Sequence, residues 1–218
     1  MVAGHTARAP RWIVGITGAS GAIYGIRLCE ELLASGIELH LVITDAGWRV
    51  IKEELGWDVA RRRDTLERYF DRTSPGSLHY HDNRDIGASI ASGSFLTEGM
   101  IIVPCSMGSL SGIAHGSSDN LLTRAADVML KEGRKLLLVP RETPLHAIHL
   151  ENMLALARLG VKLIPAMPAF YYKPQSMKEM VDFLVGKMMD NMSMAHDLYR
   201  RWGEEHLGEQ TPDYPRSD

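Results

Sequence analysis

The chain commits itself to a fold near its start. Arg11-Trp-Ile-Val-Gly-Ile-Thr17 is an apolar run of strand length, and it leads directly into Gly18-Ala-Ser-Gly-Ala-Ile-Tyr-Gly25. A strand that ends in a glycine-rich turn and passes at once into a helix presents backbone N–H groups at the helix N-terminus, where the dipole favours negative charge. A phosphorylated ligand is the expectation. The spacing Gly18, Gly21, Gly25 is not the G-x-G-x-x-G dinucleotide pattern, and no G-x-x-x-x-G-K-[ST] occurs, which argues against a P-loop nucleotidase. A plain tight turn with Ser20 as helix cap would account for the same residues.

The pattern set by this opening repeats. Apolar strands are expected at Trp12–Thr17, Glu38–Ile43, Met100–Pro104, Lys135–Val139 and Val161–Pro165. Helices are expected at Ala22–Ala34, Ala46–Leu55, Asp119–Lys131, His146–Leu159 and Ser176–Met194. Short, almost wholly apolar strands belong to a parallel sheet covered on both faces, and strand–helix alternation makes a doubly wound α/β sandwich. The stretch Asp58–Asp82, with Arg61-Arg-Arg63, is the least regular, and its charges read as a solvated helix face. Polar, Pro-bearing ends at 1–10 and about 207–218 read as a loose leader and tail around one domain at 11–206.

Composition narrows the function classes. With 24 Lys+Arg against 27 Asp+Glu the net charge is −3, which gives no electrostatic footprint for nucleic acid or an anionic membrane. No apolar run approaches the roughly 18 residues of a membrane span, and the N-terminus lacks a secretory signal's apolar core. Two cysteines, Cys29 and Cys105, make no disulfide framework, so a reducing cytoplasm is expected.

In an open parallel sheet, ligands bind beyond the carboxyl ends of the strands. The segments that matter therefore follow Thr17, Ile43, Val103, Val139 and Ile164. Thr44 and Asp45 follow the second strand and suit either a ribose contact or helix capping. Ala91-Ser-Gly-Ser-Phe95 and Val103-Pro-Cys-Ser-Met-Gly-Ser-Leu110 are rich in small residues, and the second opens a helix with free N–H donors suited to the edge of a flat heteroaromatic ring. Cys105 reads as a small packed residue, because no His lies near it in sequence to activate it. Arg124 and Lys131, seven apart, share a helix face; they form a solvated basic edge or clamp a phosphate, directly or across a subunit interface. Val139-Pro-Arg-Glu-Thr-Pro144 delivers Arg141, with a fork for phosphate, beside Glu142, a potential acid. Ala169-Phe-Tyr-Tyr-Lys-Pro174 offers an aromatic wall, and Lys187 borders the apolar stripe Met180, Leu184, Met188. Six of the 12 methionines fall between Met177 and Met194, which marks core or a subunit interface. His79-Tyr-His81-Asp82 and His146-x-x-His149 each lack a matching third ligand, so no metal is expected.

In this order the pieces resemble the UbiX-type flavin prenyltransferases, a family also labelled aromatic-acid decarboxylases. The matching segments are Thr17-Gly-Ala-Ser-Gly-Ala22, Ala91-Ser-Gly-Ser94, Pro104-Cys-Ser-Met-Gly108, Asn120-Leu-Leu-Thr-Arg-Ala-Ala-Asp127, Leu138-Val-Pro-Arg-Glu-Thr-Pro144, His149-Leu-Glu-Asn-Met-Leu154, Phe170-Tyr171 with Pro174-Gln-Ser176, and Arg201-Trp-Gly-Glu204. The resemblance implies a Rossmann-like, flavodoxin-type three-layer α/β/α sandwich assembled as a homo-dodecamer. It implies transfer of a dimethylallyl group from dimethylallyl phosphate to N5 and C6 of reduced FMN without a metal. The prenylated FMN so made serves UbiD-type decarboxylases.

Carried over by the same resemblance, Gly18, Ala19, Ser20, Thr44, Cys105, Ser106, Met107, Gly108 and Arg141 would touch FMN. Tyr171, Lys187, Arg124 and Lys131 would hold the phosphate donor. Lys187 stands where some members have Arg, which keeps the charge and loses the bidentate fork. Glu142 is the candidate acid for the leaving phosphate, and Glu54, acting through Ser20, the candidate base for the C6 proton, with Glu53 adjacent. Two other readings fit an FMN-binding chain: an FMN-dependent cysteine decarboxylase, although Pro-Cys-Ser-Met-Gly-Ser replaces the Pro-Ala-Ser-Ala-Asn-Thr segment of those enzymes, and a non-catalytic flavin carrier.

Overall fold

The structure, a computed structural model, describes residues 9–70 and 73–201. Its strands are β1 (Arg11–Ile16), β2 (Glu38–Ile43), β3 (Ser77–Asp82), β4 (Gly99–Cys105), β5 (Lys135–Pro140) and β6 (Lys162–Leu163). Its helices are α1 (Ala22–Ala34), α2 (Asp45–Leu55), α3 (Arg62–Tyr69), α4 (Met107–Ala114), α5 (Leu121–Lys131), α6 (Ala147–Arg158) and α7 (Met177–Met192), with a 3-10 turn at Ser89–Ala91. The strands form one parallel sheet in the order β3-β2-β1-β4-β5-β6. This is the flavodoxin-type α/β sandwich expected from the alternation.

Both faces of the sheet are covered, which is why its central strands read as unbroken apolar runs. Trp12, Val14, Ile16, Leu39, Leu41 and Ile43 pack on one side with residues of α1, α2 and α7. Ile13, Val42, Met100, Ile102 and Leu138 pack on the other with residues of α4 and α5. Two glycines let the layers close. A Cβ on Gly25 would strike the carbonyl oxygen of Val103, and one on Gly47 would lie 2.7 Å from that of Ile16.

The strand order reverses between β1 and β4, so the crevice where ligands settle opens at their carboxyl ends. That junction is tied together through Thr17, which donates its hydroxyl to the carbonyl of Pro104 at 2.8 Å and accepts from the backbone N–H of Ser106 at 2.8 Å.

The structure corrects the sequence reading in three places. Ser77–Asp82, expected to be irregular, is the edge strand β3, paired along its whole length with β2. The strand expected at Val161–Pro165 is reduced to Lys162–Leu163. The methionines of α7 are mainly core: Met188, Met189 and Met192 are buried, whereas Met177 is exposed. The helix α3, with only Thr65 and Leu66 buried, is the solvated charged face expected for that stretch. The readings for the leader at 1–10 and the tail at 207–218 fall outside the described residues, apart from positions 9 and 10.

Candidate active site

The carboxyl ends of β1, β2, β4 and β5 bring four segments to one edge: Gly18–Gly21, Thr44, Cys105–Gly108 and Arg141–Thr143. Gly18 is needed because a Cβ there would lie 2.6 Å from the Cβ of Ala46, and Gly21 takes a positive φ of 100°. Ala19 is buried, while Gly18 and Ser20 face solvent.

The N-terminus of α1 is occupied in a way the sequence did not suggest. The residue that caps it is Gly21, without a side-chain bond, so Ser20 is not the cap. The carboxylate of Glu54, from the last turn of α2, accepts from the N–H of Gly21 at 3.0 Å and of Ala22 at 2.9 Å. Glu54 thus supplies the negative charge that this helix end favours, and it selects itself over Glu53 as the acidic residue at the turn. A ligand phosphate must find its donors elsewhere along the edge.

Thr44 and Ser106 are both helix caps. The Thr44 hydroxyl accepts from Gly47 N–H at 2.9 Å at the start of α2, and the Ser106 hydroxyl accepts from Ser109 N–H at 3.3 Å at the start of α4. Their own protons rest on the Ile16 carbonyl at 3.5 Å and on Ser109 Oγ at 3.1 Å. A hydroxyl proton rotates, so each can be turned to a ligand instead. Cys105 is fully buried, and burial pushes its thiol up to about 12, so it stays a neutral packed thiol and reaches the edge only through its backbone. Its carbonyl accepts from Arg141 N–H at 3.4 Å.

Beside this edge lies a cavity of about 310 Å³, at the lower end for a ligand pocket. Met107, Arg141, Glu142 and Thr143 line one part, and Leu145, Met153, Pro165 and Met167 another. Glu142 is exposed; one oxygen accepts from Thr143 N–H at 3.0 Å and the other is available to a ligand. Tyr24, on the first turn of α1, was missed in the sequence. Burial raises its phenol pKa, while Arg141 acts to lower it and Glu54 to raise it further, which puts the phenol in electrostatic reach of both site residues. An aromatic residue three positions after a glycine turn was the only available signal.

The four phosphate-site candidates form two groups on opposite faces of the sheet. Arg124 and Lys131 lie on α5 around the Ala91–Phe95 loop. Arg124 donates to the carbonyl of Ala91 at 3.2 Å and pairs with Asp127 at 2.8 Å, and Lys131 pairs with Glu132 at 2.6 Å. Arg134 also grips that loop, donating to the carbonyl of Phe95 at 2.8 Å, and was missed in the sequence. Tyr171 and Lys187 belong with α7. The Tyr171 ring lies 6.0 Å from Phe183, and Lys187, one turn further along, lies 3.9 Å from Asp190 and 5.8 Å from the Tyr199 ring. Asp190 organises this group: burial raises its pKa, but hydrogen bonds from Arg201, Tyr199 and His196 prevail and hold it at about 2. A single chain does not join the two groups.

Comparison with known proteins gives a consistent result. The Flavoprotein family model matches residues 3–200. A flavin prenyltransferase UbiX of Alkalihalophilus pseudofirmus is 56% identical over 191 residues, covering 88% of this chain and 95% of that protein. A UbiX structure in complex with FMN and dimethylallyl pyrophosphate superposes with a TM-score of 0.82 at 40% identity, over 91% of this chain and all of that one. A dodecameric FMN-dependent UbiX-like decarboxylase from Escherichia coli O157:H7 gives 0.80 at 44% identity, over 89% of this chain and all of that one.

Proposed function

The chain belongs to the UbiX-type flavin prenyltransferases, and on that premise we propose that it joins the dimethylallyl group of dimethylallyl phosphate to reduced FMN. The observation that carries this reading is the convergence of the Gly18–Gly21 turn, the Ser106 cap, Arg141 and Glu142 on the crevice between β1 and β4. Relatives this similar favour prenyl transfer over cysteine decarboxylation or simple flavin carriage.

The edge suits FMN: no Cβ projects from Gly18 or from Gly108, where added bulk would meet open space, and Thr44, Ser106 and Arg141 offer donors to a ligand. Bound reduced FMN supplies the nucleophilic N5 and C6 that receive the prenyl group. The protein's part is positional and electrostatic. Gly18, Ala19, Ser20, Thr44 and Cys105–Gly108 hold the flavin, and Arg141 sets its place against the cavity. Glu142 gives a proton to the departing phosphate oxygen, and cations facing that phosphate stabilise its charge as it develops. Glu54, anchored on Gly21 and Ala22, takes up a proton by way of Ser20. Apolar walls at Met107, Leu145, Met153 and Met167 keep water from the allylic fragment.

The separation of Arg124 and Lys131 from Tyr171 and Lys187 fits a site completed by a second protomer. The chain has the surface for such assembly. The helix α6 buries only Asn152 and Leu156, and exposes Ile148 (61%), Leu154 and Leu159 beside Met167 and Phe170 (67%). A homo-dodecamer is the proposed state, a cytoplasmic setting the proposed location, and one flavoprotein domain over 11–206 the proposed organisation. No helix among the described residues is long and apolar enough to cross a membrane. The product would pass to a UbiD-type decarboxylase. The test is release of inorganic phosphate from dimethylallyl phosphate by anaerobic enzyme. Release that requires reduced FMN supports the reading, and release that is absent or independent of flavin refutes it. Running dimethylallyl diphosphate in parallel separates the two donors.

A further inference from the structure

At the sheet edge remote from the cavity, the pairing of β3 with β2 creates a cluster that neither strand contains alone. The register sets His79 directly opposite His40 and places His81 two residues on, so all three imidazoles share one face. They stack as a ladder: the ring of His40 lies 4.9 Å from that of His79 at 15°, and 5.1 Å from that of His81 at 13°. Glu38, two residues before His40 on the same face, brings Oε1 to 3.0 Å from His40 Nε2. One donor atom from each of Glu38, His40 and His79 lies within 4.8 Å of the other two. His40 Nδ1 meets His81 Nε2 at 2.8 Å.

We propose that Glu38, His40 and His79 form a binding site for a divalent transition metal of the zinc, cobalt or nickel type, with His81 orienting His40 through its second ring nitrogen. Zinc bonds of about 2.0–2.2 Å place ligand atoms about 3–4 Å apart, so the present spacing closes to coordination by small side-chain rotations. The donor set of two imidazoles and one carboxylate leaves room for solvent as the fourth ligand and suits borderline divalent ions. A ligating imidazole normally donates its other N–H to a neighbour that fixes its tautomer, and His81 stands where that neighbour is required.

Arg11 competes for the carboxylate, with Nε 2.6 Å from Glu38 Oε1 and a second nitrogen 2.9 Å from Oε2. Coordination through Oε1 leaves Arg11 on Oε2 and sets the affinity below that of a dedicated structural zinc site. The bound ion would clip the edge strand β3 to β2, well away from prenyl transfer. That separation makes the proposal independent of the catalytic reading, and prenyl transfer is expected to continue in a chelator.

The test uses the whole protein, freed of metal by chelation and titrated with Co²⁺ under visible absorption, followed by Zn²⁺ competition. The expected result is one Co²⁺ per chain with the d–d band of a low-coordinate site, displaced by Zn²⁺. His79 is exposed, so His79→Ala leaves no buried gap; it should weaken Co²⁺ binding by at least tenfold. His81→Ala should weaken it by about 10–100-fold. His115→Ala, on the residue that follows α4 and outside the cluster, should leave it unchanged. Absence of the band, equal affinity in His79→Ala, or equal loss in His115→Ala would overturn the proposal.

Discussion

Removing the Glu54 carboxylate separates its structural work from its chemistry. In Glu54→Ala the N–H groups of Gly21 and Ala22 lose the acceptor they now hold at 2.9–3.0 Å. Loss of a helix cap costs about 0.5–2 kcal/mol, and loss of a negative charge at a helix N-terminus about 0.3–1 kcal/mol. The sum is about 1–3 kcal/mol. For a chain of this size each kcal/mol shifts Tm by about 2–4 °C, so melting should fall by about 6 °C, within a range of about 2–12 °C. Glu54→Gln keeps a carbonyl acceptor and forfeits mainly the charge term, so its melting should fall by only about 1–4 °C. If Glu54 also takes up a proton during turnover, Gln should lose most of the prenyl-transfer rate while remaining nearly as stable as the native chain. The assay is calorimetric melting at one fixed protein concentration, because assembly makes Tm concentration-dependent, paired with single-turnover rates. An Ala variant that melts with the native protein would refute the cap. A Gln variant with native turnover would refute the base.

Other expectations follow from the same geometry. Glu142→Gln should retain FMN and slow the chemical step by about 10²–10⁴-fold, the usual worth of a general acid; unchanged single-turnover rates would remove Glu142 from that role. Gly18→Ala puts a methyl group 2.6 Å from the Cβ of Ala46 and should cost about 1–3 kcal/mol as an overpacked contact, together with weaker flavin binding, read by melting and by FMN titration. Asp190 is held at about 2, below its unfolded value, so its stabilising contribution is complete above about pH 4 and fades as the pH falls towards 2. Asp190→Asn should therefore be less stable than the native chain at pH 7, with the gap narrowing as pH falls through that window in denaturation curves. Lys187→Ala should raise KM for the phosphate donor more than it lowers kcat, and Lys187→Arg should restore it.

The fold was legible wherever burial on both faces left a long apolar signal. The α1 boundaries Ala22–Ala34 and the β2 boundaries Glu38–Ile43 match the sequence reading, because each is bracketed by a glycine or polar turn. The strand β3 was not legible. As an edge strand only partly covered, Ser-Leu-His-Tyr-His-Asp alternates polar and half-buried residues and carries no apolar run. The strand β6 shrank because Pro165, lacking an N–H, cannot extend a ladder. Within the site, Thr44, Ser106, Arg141 and Glu142 were placed correctly at strand ends by the topology rule. The partnership of Glu54 with Gly21 spans 33 residues and depends on how α2 packs on α1, which periodicity does not encode. The division of Arg124 and Lys131 from Tyr171 and Lys187 was hidden for the same reason, since seven-residue spacing reports a shared helix face but not which side of the sheet the helix covers.

The most direct test of the central claim is mass spectrometry of the flavin after purified protein has been incubated anaerobically with reduced FMN and dimethylallyl phosphate. The account requires a flavin heavier by one five-carbon unit, formed in step with phosphate release. Flavin recovered unchanged, while still bound to the protein, would contradict it and leave a carrier in place of a prenyltransferase.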